Sequence, residues 1–235
     1  MVKNSGAWSI EDSMHTYQIE RWSEGYFTVA EDGELCATPN KDKKGPRISI
    51  ASVIDEMKTK GVQFPVVIRF HDILRNQIQN LNEIFIKTIK DAEYNGQYSG
   101  VFPIKVNQLR EVIEEVVEVG EIYNYWLEAG SKTELLTVLA YNENPNALTI
   151  LNGYKDKEYM RLAVLGTQIG KNTVVVIEKI SEIYLLLEVI EEIGVDCNIG
   201  VRAKLGSKGA GLWADSTGDN AKFGLSINEI LELLE

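Results

Sequence analysis

Residues 172–202 read NTVVVIEKISEIYLLLEVIEEIGVDCNIGVR, and this stretch contains a complete strand–helix–strand unit. The apolar, β-branched run Asn172–Ile177 is typical of a parallel strand that is covered on both faces. A helical stretch opened by Ser181 follows and ends near Gly194. A second strand, Cys197–Arg202, comes next. This order of elements indicates an α/β fold with a parallel sheet.

Runs of the same kind precede this unit and extend the pattern toward the N-terminus. They are Pro65–Phe70, Gly100–Lys105, Ile122–Leu127 and Ala147–Leu151. Apolar residues recur at three- and four-residue spacing over 73–89 and 109–117, which predicts amphipathic helices between the strands. Two further helix starts have the Ser-x-x-Glu spacing of a capping box, at 131–134 and 226–229. Six strand–helix units are therefore predicted.

The number of units bears on the architecture and on the domain organisation. A parallel sheet of this kind is either open and doubly wound or closed as a barrel, and an eight-unit barrel needs about 250 residues. The chain has 235 residues, and the segment before Pro46 follows a different pattern of short strands and turns. We therefore expect a short N-terminal β arm over residues 1–48 and an incomplete barrel over residues 49–235. On this arithmetic we expect the chain to be a fragment.

Composition and charge exclude several classes of protein. There are 24 Lys and Arg against 35 Asp and Glu, a net charge of −11, whereas nucleic-acid binding needs clustered positive charge. The basic cluster Lys41–Lys44 is interrupted by Asp42 and is interpreted as a solvated loop. No apolar run approaches the roughly 20 residues of a membrane span, and no secretory signal is visible. Cys36 and Cys197 lack metal-ligand spacing, and although a disulfide stays open, two free thiols in a reducing cytoplasm are the simpler account.

Lys105 is the first candidate for chemistry. It lies near the carboxyl end of an otherwise apolar strand, just before a helix, and in a barrel that end is the active face. Burial there would lower the pKa of the amine and make it a nucleophile for a carbonyl group. The structural alternative is a lysine whose stem packs at the strand end while its ammonium reaches water. Glu128, at the end of the next strand, could pair with Lys105 or orient a neighbouring group.

Other motifs give weaker signals. Polar residues follow strands at 152–156, 178–179 and 202–204, as in a barrel active site and as in any strand-to-loop transition. The loop 206–211 is rich in glycine but lacks the Lys-Ser/Thr pair of a phosphate-binding loop, and no helix follows it as a dinucleotide site requires. His15 and His71 are far apart in the sequence and are interpreted as surface or capping residues.

Five motifs in order carry a family resemblance. They are Phe102–Gln108 (FPIKVNQ), Leu127–Lys132 (LEAGSK), Asn152–Asp156 (NGYKD), Val201–Leu205 (VRAKL) and Lys222–Leu225 (KFGL). In this order and spacing they resemble the biosynthetic arginine decarboxylases. That family depends on pyridoxal 5′-phosphate and shares the alanine-racemase-like (β/α)8 TIM barrel with ornithine and diaminopimelate decarboxylases. The resemblance covers nearly the whole chain.

The resemblance implies a reaction and a set of site residues. The reaction is the conversion of L-arginine to agmatine and CO2, a step toward putrescine and spermidine in polyamine biosynthesis. Lys105 matches the lysine that forms a Schiff base with the cofactor, which now favours catalysis over the structural alternative. Arg202 matches an arginine near the cofactor ring, and Glu128 matches an acidic position close to the lysine. The cofactor would supply the electron sink, while the protein holds the lysine and excludes water.

The resemblance also sets the remaining expectations. The family's phosphate-binding segment and the acidic partner of its pyridine nitrogen would lie beyond Glu235, so we expect this chain alone to be inactive. Magnesium is a further cofactor of the family, but no carboxylate cluster here predicts a site for it. A homo-oligomer of the full-length protein in the cytoplasm is expected. Two alternatives stay open: a related decarboxylase for ornithine, lysine or diaminopimelate, and a degenerate, non-catalytic partner of a full-length enzyme.

Overall fold

The computed structural model describes residues 7–41, 45–204 and 221–234. The chain divides into two compact units, Met1–Gln77 and Ile78–Glu235. The boundary that we predict after residue 48 separates the β arm from the barrel domain, and it stays a prediction. The glycine-rich loop 206–211 and most of the Lys41–Lys44 cluster lie outside the described residues.

The first unit contains short helices and an antiparallel sheet. Its elements are α1 (Ile10–Thr16), α2 (Ile19–Ser23), β1 (Phe27–Val29), β2 (Leu35–Ala37), β3 (Ile48–Ser49) and α3 (Ile50–Thr59). Within the described residues the strands pair in the order β1-β2-β3. The arm is therefore only partly β: Ser9 and Asp12 form a capping box that begins α1, so the segment before β1 is helical.

The strand predicted at Pro65–Phe70 is wrong. The described residues there form neither a strand nor a β-bridge. Pro65 has no N–H to give to a ladder, and Val67 is 76% exposed, so the apolar run is not buried against a sheet. Helix α4 (His71–Asp91) follows directly and covers the predicted apolar stripe.

The second unit continues α4 and alternates strands with helices. Its elements are β4 (Val101–Pro103), α5 (Arg110–Gly120), β5 (Trp126–Ala129), α6 (Lys132–Tyr141), β6 (Leu148–Leu151), α7 (Lys157–Gln168), β7 (Asn172–Ile177), α8 (Ile180–Ile193), β8 (Asn198–Val201) and α9 (Ile227–Leu233). All described pairings between these strands are parallel, in the order β4-β5-β6-β7-β8. A parallel bridge from Ala203 to Leu225 continues this order past β8. The predicted α/β class with a parallel sheet is confirmed.

Several predicted boundaries shift. The strand predicted at Ile122–Leu127 is β5, which begins at Trp126. Residues 121–123 instead form a 3-10 turn that ends at Asn124 with φ of 55°. Helix α8 is preceded by Lys179 at its N-cap, so Ser181 does not open it, whereas Gly194 ends it as predicted. The capping box at 226–229 is complete. At 131–134 only the serine half is present.

One face of the parallel sheet is covered by helices. In register, Leu127, Thr149 and Thr173 lie side by side and are all fully buried. Gly166 of α7 packs against Thr173 so closely that a Cβ there would lie 3.4 Å from its methyl group, which identifies this as the helix-covered face. Because side chains alternate along a strand, Glu128 points to the opposite face. Among the described residues, no helix is long and apolar enough to cross a membrane.

Candidate active site

The carboxyl ends of the parallel strands bring the predicted site residues to one edge of the sheet. Lys105 comes two residues after β4, Glu128 is the last residue but one of β5, and Arg202 directly follows β8. Register pairs Pro103 with Glu128, so the ends of β4 and β5 lie at the same level. Three segments that are far apart in sequence therefore lie along the carboxyl edge of one sheet, the edge at which a barrel carries its active site.

Lys105 occupies a 3-10 turn, residues 104–106, that caps β4. Ile104 is 2% exposed and anchors the turn in the core, while the side chain of Lys105 is exposed. The expected burial of the lysine is therefore not present in the described residues, because the residue lies in a turn beyond the strand rather than within it. An exposed amine at this position is accessible to a ligand.

Glu128 is buried, with 4% exposure, and its carboxylate is only half satisfied. Its Oε1 accepts a hydrogen bond of 2.9 Å from the Nδ2 of Asn152 on the next strand end. Its Oε2 is buried and has no hydrogen-bond partner in the described structure. Within the described residues no ion pair joins Glu128 to Lys105, and the role of Glu128 stays a prediction. A buried acceptor without a donor is costly, so this oxygen is available for a ligand donor.

Arg202 pairs with a carboxylate that the sequence prediction did not single out. Its Nη1 donates to Oε1 of Glu178 at 3.2 Å, and the Cζ of Arg202 lies 5.2 Å from the centre of the Phe223 ring. The Glu178 side chain has no exposure, whereas that of Arg202 is 50% exposed. The same Oε1 accepts from the N–H of Gly153 at 3.1 Å, and Oε2 of Glu178 is a second buried oxygen without a partner among the described residues.

A buried ion pair stabilises the backbone at this edge of the sheet. Lys155 and Glu182 have side chains that are 0% and 3% exposed, with 3.3 Å between Nζ and Oε2. Nζ of Lys155 also donates to the carbonyl of Gly153 at 2.6 Å, and Oε2 of Glu182 accepts from the N–H of Glu178 at 2.9 Å. Burial lowers the pKa of Lys155, and the charge of Glu182 opposes that shift. The pair therefore fixes the backbone that follows β6 and β7.

Tyr159 of α7 ties two strand ends together. Its hydroxyl lies 3.1 Å from the carbonyl of Ala129 and 3.2 Å from that of Asn152, and the residue is 1% exposed. Burial, and then the nearby charge of Glu128, raise the pKa of the phenol, so it stays protonated and can donate.

The sequence contained only a weak signal for the residues that we missed. Glu178 stood among the polar residues that follow a strand, and Glu182 follows it by one helical turn.

Gly153 permits the close approach of two strand ends, and its replacement gives a first test. It has φ of 77°, and a Cβ there would lie 2.3 Å from the carbonyl oxygen of Gly130. We expect Gly153→Ala to lower the free energy of unfolding by about 2–3 kcal/mol, because backbone strain and a backbone clash add. Urea denaturation of the purified chain measures this.

The matched control is Gly170, which has φ of 88° and no atom within 4 Å of the added Cβ. Gly170→Ala carries only the strain, which we expect to cost about 1 kcal/mol. Equal losses in the two variants would contradict the clash at Gly153.

Comparisons with known proteins agree on one family. The family model described as pyridoxal-dependent decarboxylase, pyridoxal binding domain, matches residues 79–235. The biosynthetic arginine decarboxylase of Gloeobacter violaceus is 47% identical over 227 residues, which are 97% of this chain and 35% of that protein. That of Prochlorococcus marinus (strain MIT 9215) is 44% identical over 230 residues, with 97% and 35% covered.

A solved structure is similar as well. The crystal structure of the biosynthetic arginine decarboxylase SpeA from Campylobacter jejuni matches with a TM-score of 0.80 and 32% sequence identity, over 93% of this chain and 34% of that one. The chain therefore spans about a third of the length of these relatives.

Proposed function

Since this chain belongs to the pyridoxal-dependent decarboxylases and carries their pyridoxal-binding domain over residues 79–235, we propose that it is part of an arginine decarboxylase. The reaction is the conversion of L-arginine to agmatine and CO2, and agmatine would feed polyamine biosynthesis. The observation that carries the choice of substrate is the identity of 42–47% to proteins that bear this name, over at least 95% of the chain.

The residues at the strand ends fit pyridoxal phosphate. Lys105 offers an exposed amine that can bind the cofactor's aldehyde. Arg202 offers a half-exposed guanidinium, a good partner for an anion or a ring face. Oε2 of Glu128 is a buried acceptor without a donor, which suits a protonated nitrogen next to it. An amine for the aldehyde and charged groups to orient the ring are what the protein has to supply to this cofactor.

Each residue has a distinct task in the proposed reaction. Lys105 would hold the cofactor through its ε-nitrogen. Glu128 would accept a hydrogen bond from a protonated nitrogen of the bound ligand, since its buried carboxylate favours a positive neighbour. Arg202 follows β8, at the other end of the strand order from Lys105, and would orient the bound ring. When bound, pyridoxal phosphate supplies the electron sink that stabilises the charge left by loss of CO2.

The test of this function is a substrate panel. The product of the complete reading frame that contains these residues is purified, loaded with pyridoxal phosphate and given carboxyl-labelled arginine, ornithine, lysine or diaminopimelate. We expect labelled CO2 from arginine at a rate at least about 100-fold above the others, because a site that hydrogen-bonds a substrate's polar end rejects analogues without it. Agmatine, identified by mass spectrometry, is the expected product. Preferential turnover of another amino acid would overturn the arginine assignment.

Assembly and location complete the proposal. We propose a homo-oligomer of the full-length protein, as in the resembling family, and a cytoplasmic location. The location is supported by the cysteines, since Cys36 and Cys197 are both free thiols. Magnesium has no support from the described residues, where no group of three or more His, Cys, Asp or Glu could hold a metal ion.

A further inference from the structure

We infer that Glu178 is a positioning residue that fixes the guanidinium of Arg202 toward the cofactor; this inference rests on the proposed function. Glu178 is 1% exposed and directly follows β7, whereas Arg202 reaches out from the end of β8 with half of its side chain exposed. The contact of 3.2 Å between Oε1 and Nη1 therefore joins a rigid, buried acceptor to an exposed head.

Glu178 is itself held from several sides. Its N–H donates to Oε2 of Glu182 at 2.9 Å, and that carboxylate is fixed by Lys155. Its Oε1 accepts one hydrogen bond from the N–H of Gly153 and another from Nη1 of Arg202. A carboxylate whose backbone and side chain are both constrained keeps its geometry when a ligand binds, which is what preorganisation requires.

The segment after the glycine-rich loop is tied to the same residues. The N–H of Gly224 donates to the carbonyl of Glu178 at 3.3 Å, and the N–H of Leu225 donates to the carbonyl of Arg202. Phe223 then lies against the guanidinium at 5.2 Å, which restricts it from a second direction. Among the described residues, Glu178 is the only hydrogen-bond acceptor of the Arg202 side chain. Its other N–H groups have no acceptor within the described residues, which fits a role in holding a ligand.

The charge balance supports a role beyond packing. Glu128, Glu178 and Glu182 are three buried carboxylates. Lys155 pairs with Glu182 and Arg202 pairs with Glu178, whereas no described cation forms an ion pair with Glu128. Oε2 of Glu178 remains buried without a donor among the described residues. Burial of such an oxygen is unfavourable for folding alone, and functional sites are where such costs are found.

The first experiment measures Arg202 directly. In the product of the complete reading frame labelled with 15N, we expect the guanidinium NMR signal of Arg202 to show restricted rotation, and Glu178→Gln to release it. The control is Glu188→Gln, which removes a carboxylate that is 53% exposed and pairs with Lys157 on the surface. Restricted rotation that persists unchanged in Glu178→Gln would overturn the inference.

The second experiment measures cofactor affinity by absorbance titration in the product of the complete reading frame. We expect Glu178→Gln and Arg202→Lys each to weaken pyridoxal phosphate binding by about tenfold, and the double variant to lie within about twofold of Arg202→Lys alone. Glu178→Asp, which keeps the charge, should recover part of the loss. A Glu178→Gln variant that binds as the wild type does, or effects that simply multiply in the double variant, would overturn the inference while leaving the proposed function intact. A wild type that binds no cofactor would instead overturn the proposed function, and the cofactor part of the inference with it.

Discussion

Replacing Lys105 with alanine is expected to abolish covalent retention of pyridoxal phosphate and to lower the rate of arginine decarboxylation by at least about 100-fold, the smaller end of what a positioned acid–base group contributes. The reason is that Lys105 supplies an exposed amine two residues after the end of β4, whose last residue, Pro103, pairs with Glu128. The measurement is made on the product of the complete reading frame. After borohydride reduction, peptide mass spectrometry should find the cofactor on the peptide that contains Lys105.

Two variants make that result specific. Lys105→Arg keeps the positive charge but not the primary amine, so it should lose the covalent cofactor as completely as alanine does. Lys171→Ala is the control, because Lys171 lies just before β7, at the opposite end of its strand from the site, where Nζ donates to the carbonyl of Asn142. Cofactor found on another lysine in the wild type would refute the assignment of Lys105.

The sequence predicted the strands well where apolar runs are short, β-branched and bounded by turn residues. Asn172–Ile177 matches the structure at both ends, and Leu148–Leu151 differs from its prediction by one residue. The same periodicity misled at Ile122, which is 75% exposed in a 3-10 turn, because an aromatic run signals a strand whether or not a partner pairs with it. Pairing is a tertiary property, and the run at Pro65–Phe70 shows that the pattern alone does not contain it.

The candidate site was predictable only in part. Lys105, Glu128 and Arg202 could be placed at strand ends because polar residues interrupt apolar runs there. The exposure of Lys105 could not be predicted, because it depends on where the strand ends: the chain turns after Pro103, so that Ile104 and Lys105 both lie in the 3-10 turn. The pairs Glu178–Arg202 and Lys155–Glu182 join residues 24 and 27 positions apart. The partners belong to different strand–helix units, so only the register of β6, β7 and β8 brings them together.

Lys155→Met is expected to lower the free energy of unfolding by about 3–5 kcal/mol, the usual cost of leaving one partner of a buried ion pair without the other. The Lys155 and Glu182 side chains are 0% and 3% exposed, so water cannot replace the lost ammonium. Methionine keeps a similar length and removes the charge, and the carbonyl of Gly153 loses its donor as well. Urea denaturation of the 235-residue chain, followed by circular dichroism, measures the change.

Lys157→Met is the matched control, and the comparison separates burial from distance. Lys157 pairs with Glu188 at 2.5 Å and with Glu192 at 2.6 Å, both shorter than the 3.3 Å of the buried pair, but its side chain is 34% exposed. Solvent screens such a pair, so its loss should cost no more than about 1 kcal/mol. Lys155→Met combined with Glu182→Gln removes the stranded charge and should recover part of the stability. If Lys155→Met costs no more than Lys157→Met, the buried pair does not hold the strand ends, and the support that it gives to Glu178 and Gly153 has to come from the backbone hydrogen bonds alone.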